Sequence, residues 1–164
     1  MGYIDDIKQK IIPVGQEFTS LSLWKKRGEL ITFTNGCFDI IHRGHVDYLA
    51  RAASLGSKMI IGLNTDNSVR RLKGNSRPVS DEYSRAFVLA AFAFVDAIIL
   101  FDEDTPYNLI QHIQPDILVK GSDYKENDIV GADIVKAKGG KIVTIDFVPG
   151  FSTSSILEKL VING

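Results

Sequence analysis

Two histidines, His42 and His45, stand three residues apart in the run Thr34-Asn35-Gly36-Cys37-Phe38-Asp39-Ile40-Ile41-His42-Arg43-Gly44-His45. On a helix that spacing puts both imidazoles on one face of a single turn. Gly44 between them removes a side chain where a ligand would approach the backbone. An apolar, β-branched stretch (Leu30-Ile31-Thr32-Phe33) precedes the run, and a helical pattern (Val46, Tyr48-Leu49-Ala50, Ala52-Ala53, Leu55) follows it. The run therefore spans a strand-to-helix turn. Unpaired N–H groups and the positive end of the helix dipole face the same way as the imidazoles. This is an anion site suited to a nucleoside triphosphate, and the chemistry it implies is attack at a phosphorus with pyrophosphate leaving. The alternative is two helix-terminal histidines with solvent or core partners. A metal reading lacks an accompanying Cys or acidic cluster at ligand spacing.

Further residues could complete such a site. Lys120 closes an apolar strand pattern and is followed by Gly121, Ser122, Asp123 and Tyr124. A lysine there can meet phosphate oxygens as a point charge, or it is a surface lysine beside a turn. Phe151-Ser152-Thr153-Ser154-Ser155 opens the last helical pattern after Gly150. Its hydroxyls and N–H groups could hold the β- and γ-phosphates, or Ser152 is simply an N-cap. Arg70, Arg71, Lys73 and Arg77 form a basic cluster around Gly74. It could clamp a phosphorylated acceptor or be a solvated helix face, and Lys73 and Arg77 flank the loop. Arg85 could reach phosphates or pair with a carboxylate such as Asp96. Asp39 and Asp66 could bind acceptor hydroxyls or cap helices. Cys37 reads as a small buried residue, with no base placed to activate it.

Alternating elements must carry these residues. Strands are expected at 30–34, 58–64, 96–101, 116–120 and 141–146. Helices are expected at 3–12, 17–27, 44–55, 66–72, 82–94, 105–113, 130–138 and 153–162. The pattern predicts an α/β fold: a Rossmann-like parallel sheet of about five strands with helices on both faces. Ligands then bind beyond the carboxyl ends of the strands, and the candidate residues follow strands. Residues 1–28 read as an N-terminal helical extension, and 29–164 as a single catalytic domain.

Composition narrows the class. The chain has 164 residues, 45% hydrophobic and 24% charged, with net charge −1. That is an ordinary globular balance, with no global electrostatic case for nucleic acid or an anionic membrane. One cysteine allows no internal disulfide, and no apolar run approaches the ~20 residues that span a bilayer. The start carries Asp5 and Asp6 where a signal peptide is basic, so a cytoplasmic location is expected. Gly139-Gly140-Lys141 is not a P-loop, since the upstream Gly is absent and a strand pattern follows.

Thr34 to His45 resembles the first motif of the HxGH nucleotidyltransferases, and Phe151 to Ile156 resembles their Ser/Thr-rich second motif. Four further blocks resemble the heptose 1-phosphate adenylyltransferases. They are Arg71-Leu72-Lys73-Gly74 with Arg77-Pro78-Val79, Phe101-Asp102-Glu103-Asp104-Thr105-Pro106, Pro115 to Gly121, and Asp123-Tyr124. The likeness covers about residues 29–160. Ser122 and Ser154-Ser155 depart from the usual pattern. Related glycerol-phosphate cytidylyltransferases carry arginines where this chain has Ala93 and Phe147-Val148.

The resemblance implies ATP as co-substrate with Mg²⁺, a sugar 1-phosphate as acceptor, and a sugar kinase elsewhere in the pathway. It implies that His42, His45 and Lys120 are catalytic. Thr34, Asn35, Gly36, Cys37, Phe38, Gly44, Arg85, Gly121, Ser152, Thr153 and Ser154 would bind nucleotide. Asp39, Asp66, Lys73, Arg77 and Asp123 would bind acceptor. No protein metal ligand is expected, and base recognition is expected from backbone groups near the last strand. Dimerisation is common among such enzymes, and residues 1–28 offer surface for it. The alternatives are a CTP-dependent polyol-phosphate cytidylyltransferase and a non-catalytic nucleotide-binding module.

Overall fold

A computed structural model describes residues 2–162. Among these, six parallel strands form one sheet. In chain order α1 (Tyr3–Gln9), β1 (Ile11–Ile12) and α2 (Ser20–Lys26) precede β2 (Ile31–Gly36), which leads into α3 (Arg43–Ala53). Then come β3 (Lys58–Asn64), α4 (Asp66–Lys73), α5 (Glu82–Ala90), β4 (Ala97–Phe101), α6 (Tyr107–Ile113) and β5 (Ile117–Gly121). A short 3₁₀ turn (Glu126–Asp128), α7 (Ala132–Ala137), β6 (Lys141–Ile145) and α8 (Thr153–Ile162) complete the order. The strands lie side by side as β1-β4-β3-β2-β5-β6. The order reverses between β2 and β5, so a crevice opens there beyond the carboxyl ends.

The period of two along each strand divides the apolar residues between two cores. Met59, Ile61, Leu63, Ile98, Leu100, Ile117 and Val119 face α3 and α5. Ile31, Phe33, Ile60, Ala97, Ile99 and Leu118 face the opposite core, which holds Ile110 and Ile113 of α6 and Val135 of α7. A sheet covered on both faces needs continuous apolar strands, and β3 and β4 are that. On β2 two threonines interrupt the pattern. Thr34 is buried; its hydroxyl donates to Val119 O (2.9 Å) and shares a 2.8 Å hydrogen bond with the Tyr48 hydroxyl. Strands β2 and β5 and helix α3 are thereby fastened together at the crevice.

The sheet has one strand more than the sequence pattern suggests. The helix expected over 3–12 ends at Gln9, and Ile11 and Ile12 pair in parallel with Ile98 and Ile99. Two β-branched residues before Pro13 favour extension over helix. Lys10 secures the turn, its Nζ donating to Ala90 O at 3.1 Å. The helix expected over 82–94 stops at Ala90, and the one expected over 17–27 is trimmed to Ser20–Lys26. Beyond Ala90 the apolar run Ala91-Phe92-Ala93-Phe94 packs as turn rather than as a further helical face.

Candidate active site

Strand β2 delivers the first motif to the crevice. After Gly36 the chain turns through Phe38, whose φ of 44° lies in the left-handed region that costs a bulky residue energy. The turn lets Phe38 bury its ring edge-on against His45, 5.4 Å between centroids. His42 is the N-cap of α3: its Nδ1 accepts from Gly44 N at 3.1 Å. A neutral imidazole accepting at Nδ1 carries its proton on Nε2, so His42 presents a donor. His45 Nδ1 lies 3.4 Å from His42 N, and the two rings stack at 3.8 Å. Burial, then the charges of His42 and Lys73, push His45 down to about 4, against a hydrogen bond with Ile40 that works the other way. Burial also lowers His42. At neutral pH both are uncharged donors, poised to gain a proton's affinity when an anion arrives.

The second motif folds over the first. A Cβ on Gly44 would sit 3.0 Å from the His42 ring and 3.2 Å from Phe151 Cβ, which explains the bare position. Thr153 Oγ1 donates to Ile40 O at 3.4 Å. Ser152 Oγ accepts from Ser155 N at 3.0 Å and so caps α8. His42, His45, Lys73, Arg77, Phe151, Ser152, Thr153 and Ser154 line one open cavity of about 530 Å³. A second cavity of about 260 Å³ adjoins it, sharing His45, Lys73 and Phe147, and is lined by Asn35, Gly36, Cys37, Phe38, Lys120, Gly121 and Asp123. Here Lys120 Nζ donates to Asn35 Oδ1 and stands 5.5 Å over the Tyr124 ring. Burial pushes Lys120 down to about 8, while Asp123 and Cys37 pull it back up. A third cavity of about 340 Å³ holds Asn64, Leu72, Asp104, Thr105, Pro106 and Asp128 and shares Lys73, Lys120 and Tyr124. Lys73 thus stands where all three meet.

Three of the carboxylates and arginines singled out in the sequence, Asp39, Asp66 and Arg85, are tied into the scaffold instead of serving as free ligand-binding groups. Asp39 accepts from Arg77 Nε (2.6 Å), Val79 N (2.8 Å) and Ser80 N (3.0 Å). Burial opposes its ionisation, but the two amides and Arg77 outweigh it and hold the carboxyl below its usual range. Arg85 is only 1% exposed. It donates to Ser80 O (3.0 Å), Cys37 O (2.6 Å) and Asp66 Oδ1 (2.8 Å), so its partner is Asp66 and not Asp96, which holds Lys58. Arg85 and Asp66 therefore brace the loop that precedes His42. Arg77 does both, pairing with Asp39 and lining the first cavity. Thr34 acts behind the site through Tyr48 and Val119. Arg70 and Arg71 turn outward, Arg71 pairing with Asp104 at 2.9 Å.

The sequence reading missed Tyr48, Asn64, Asp104, Thr105, Asp128 and Phe147 as lining residues. Asn64 sits at a strand end, which is a signal. The 102–106 block was visible as a likeness but carried no spacing that assigns a role. Phe147 lies in an irregular segment and Asp128 ends a three-residue 3₁₀ turn, neither of which periodicity reads.

The cytidylyltransferase-like family model matches residues 33–158. The chain belongs to the cytidylyltransferase-like family. It is a nucleotidyltransferase, and the match takes in both histidines and the α8 serines. It is 57% identical over 140 residues to the bifunctional protein HldE of Campylobacter jejuni subsp. doylei, covering 85% of this chain and 30% of that one. It is 58% identical over 137 residues to bifunctional protein HldE of Methylobacillus flagellatus, covering 84% of this chain and 28% of that one. The chain thus spans about 30% of the length of these relatives. A solved structure, the lipopolysaccharide core biosynthesis protein of Thermoplasma volcanium, is similar with TM-score 0.62 and 30% identity, covering 74% of this chain and 99% of that one. Among the described residues no helix of this cytidylyltransferase-like protein is long and apolar enough to cross a membrane.

Replacing Arg85 with Leu leaves Asp66 and two buried carbonyls without their donor. It should cost about 3–5 kcal/mol, the effect of breaking a buried pair by removing one partner. Urea unfolding reads this as a fall in midpoint at unchanged slope, and an unmoved midpoint would refute the bracing role. For His45 the folded state resists protonation more than the unfolded chain does. Its contribution to stability is therefore complete above pH 6.5 and is lost as pH falls toward about 4. An NMR titration of the His45 ring should give a midpoint near 4 that rises when inorganic triphosphate is added; a midpoint near 6.5 would contradict the buried, crowded environment.

Proposed function

We propose that the chain joins ATP and D-glycero-β-D-manno-heptose 1-phosphate to give ADP-heptose and pyrophosphate, a precursor for lipopolysaccharide or another surface glycan. The observation that carries this reading is the meeting of three cavities at Lys73, with two uncharged histidine donors and a half-desolvated lysine at the junction. The names of the similar proteins point the same way. A phosphate ester of this kind needs a phosphoryl donor upstream, and a sugar kinase is the proposed source.

In this reading the triphosphate lies over His42, His45 and the start of α8. The acceptor sits in the cavity lined by Asn64, Thr105 and Asp128, whose amide, hydroxyl and carboxylate suit a polyhydroxylated ring. The acceptor's phosphate oxygen attacks the α-phosphorus in line. The bond from that phosphorus to the bridging oxygen breaks, and pyrophosphate carries away the charge. The attacking oxygen is already anionic near pH 7, so no strong general base is needed, and the protein's part is positioning and charge stabilisation. His42 and His45 donate to phosphate oxygens as the α-phosphorus becomes five-coordinate. Lys120 and Lys73 balance the charge on the nucleotide and acceptor sides. The cations that line the groove do not suit a protein-held metal. Mg²⁺ would come with the nucleotide and would supply neutralisation of phosphate charge.

The deciding assay is pyrophosphate release with Mg²⁺, crossing ATP, CTP and GTP with heptose 1-phosphate and glycerol 3-phosphate. Release with ATP and the heptose is expected; release only with CTP and glycerol 3-phosphate would overturn the substrates while keeping the chemistry. His45→Ala should lower kcat by roughly 10²–10³-fold, the loss of one transition-state donor, and a folded variant within tenfold of wild type would remove that role. Because kcat/KM reports groups of the free enzyme, kcat/KM for the nucleotide should decline above pH about 8 as Lys120 loses its proton. A profile flat to pH 9.5 would place Lys120 outside the binding machinery.

A further inference from the structure

The mechanism leaves the base of the nucleotide without a protein partner, and the aromatic side chains around the groove supply one. We infer that the ring of Phe147 is the surface on which the base stacks, and that this ring makes the site select a purine. The inference rests on the nucleotide-transfer reading of the groove.

Phe147 follows β6 directly and is 49% exposed, an unusual state for a phenylalanine beside a well-packed sheet. It lines both the cavity that holds His42 and Ser152 and the cavity that holds Lys120 and Asp123. It therefore spans the passage between the phosphate end and the adjoining chamber, where the sugar and base of a nucleotide must lie. Its ring is held from behind. Tyr48 stacks on it at 5.6 Å with 30° between planes. Tyr48 is itself buried, its hydroxyl bonded to Thr34 on β2. The tip of the Phe147 ring rests on Gly121, where any Cβ would collide with it. The missing side chain at 121 is thus explained by Phe147 as much as by a turn.

The other exposed rings of the groove each have a cation over one face, whereas Phe147 has an aromatic backing. Tyr124 carries Lys120 over its face, and Phe151 carries Arg43 and lies beside His42 at the phosphate end. A rigidly backed ring that keeps open surface toward both cavities is a stacking shelf. A purine overlaps such a ring over two fused cycles and a pyrimidine over one, so the shelf favours ATP over CTP by contact area. Sequence reasoning looks for base recognition in backbone groups near the last strand; the present proposal gives that part to a side chain just beyond it.

The test is calorimetric binding of ATP, CTP and inorganic tripolyphosphate, each with Mg²⁺, to the full chain. It compares wild type with Phe147→Ala, Phe147→Leu and Phe147→Trp, with thermal melts to confirm folding. Leu keeps apolar cover over Gly121 but has no π face. Both Ala and Leu should weaken ATP roughly 5- to 150-fold, the span of base–aromatic stacking. Tripolyphosphate affinity should stay within twofold, the preference for ATP over CTP should shrink, and Trp should bind ATP at least as well as wild type. A Leu variant that binds ATP like wild type would overturn the proposal. So would tripolyphosphate weakening in step with ATP, or an unchanged ATP-to-CTP ratio. If wild type releases no pyrophosphate with any acceptor, the transfer reading fails, while the binding comparison still decides the role of Phe147.

Discussion

A guanidinium with almost no exposed surface is tolerable only when its donors are met, and the groove depends on Arg85 meeting that demand. Its three contacts run to three separate parts of the chain: the carbonyl of Cys37 in the first-motif loop, the carbonyl of Ser80 before α5, and the carboxylate of Asp66 at the head of α4. Asp39 repeats the pattern with the opposite charge, gathering Arg77 and the amides of Val79 and Ser80. Together the two residues fix where β2 releases the chain toward His42. A histidine N-cap with a second histidine stacked on it tolerates little error in that approach.

With the loop fixed, the electrostatics of the groove follow from burial. It keeps both imidazoles neutral and pushes Lys120 down to about 8, and the charges of His42 and Lys73 add to the effect at His45. The protein alone is a site of suppressed positive charge. The donors themselves are held in place before any ligand arrives, His42 by its bond to Gly44 N and His45 by stacking on His42. This is preorganisation of the kind that favours charge developing at a five-coordinate phosphorus.

Much of this was legible in the sequence because it obeys local rules. The strand-turn-helix around His42, the Gly44 gap and the Ser152 cap each have a short-range signature. Periodicity gave five of the six strands of the sheet and the crevice between β2 and β5. What it could not give was long-range pairing. Arg85 reaches Cys37 across 48 positions, and nothing near Arg85 in the chain says so. Asp39 and Asp66 looked like free carboxylates because their partners come from other elements. Phe147 lies in an irregular segment and Asp128 in a single 3₁₀ turn, where a residue's neighbours are set by the fold and not by its own period. Ile11–Ile12 was misjudged because two residues are too few to show a strand's alternation.

That two-residue strand has a consequence at the border of the sheet. Ile11 and Ile12 shield the flank of β4, whose residues are buried throughout, and Pro13 immediately removes the next amide donor. The far border, β6, is short, with Lys141 and Thr144 exposed. Neither margin offers a long, flat, apolar run of unpaired backbone. Strand-by-strand addition of a second molecule is therefore discouraged at both ends, and a highly apolar parallel sheet remains a closed unit at concentrations where an open margin would invite fibrous self-association.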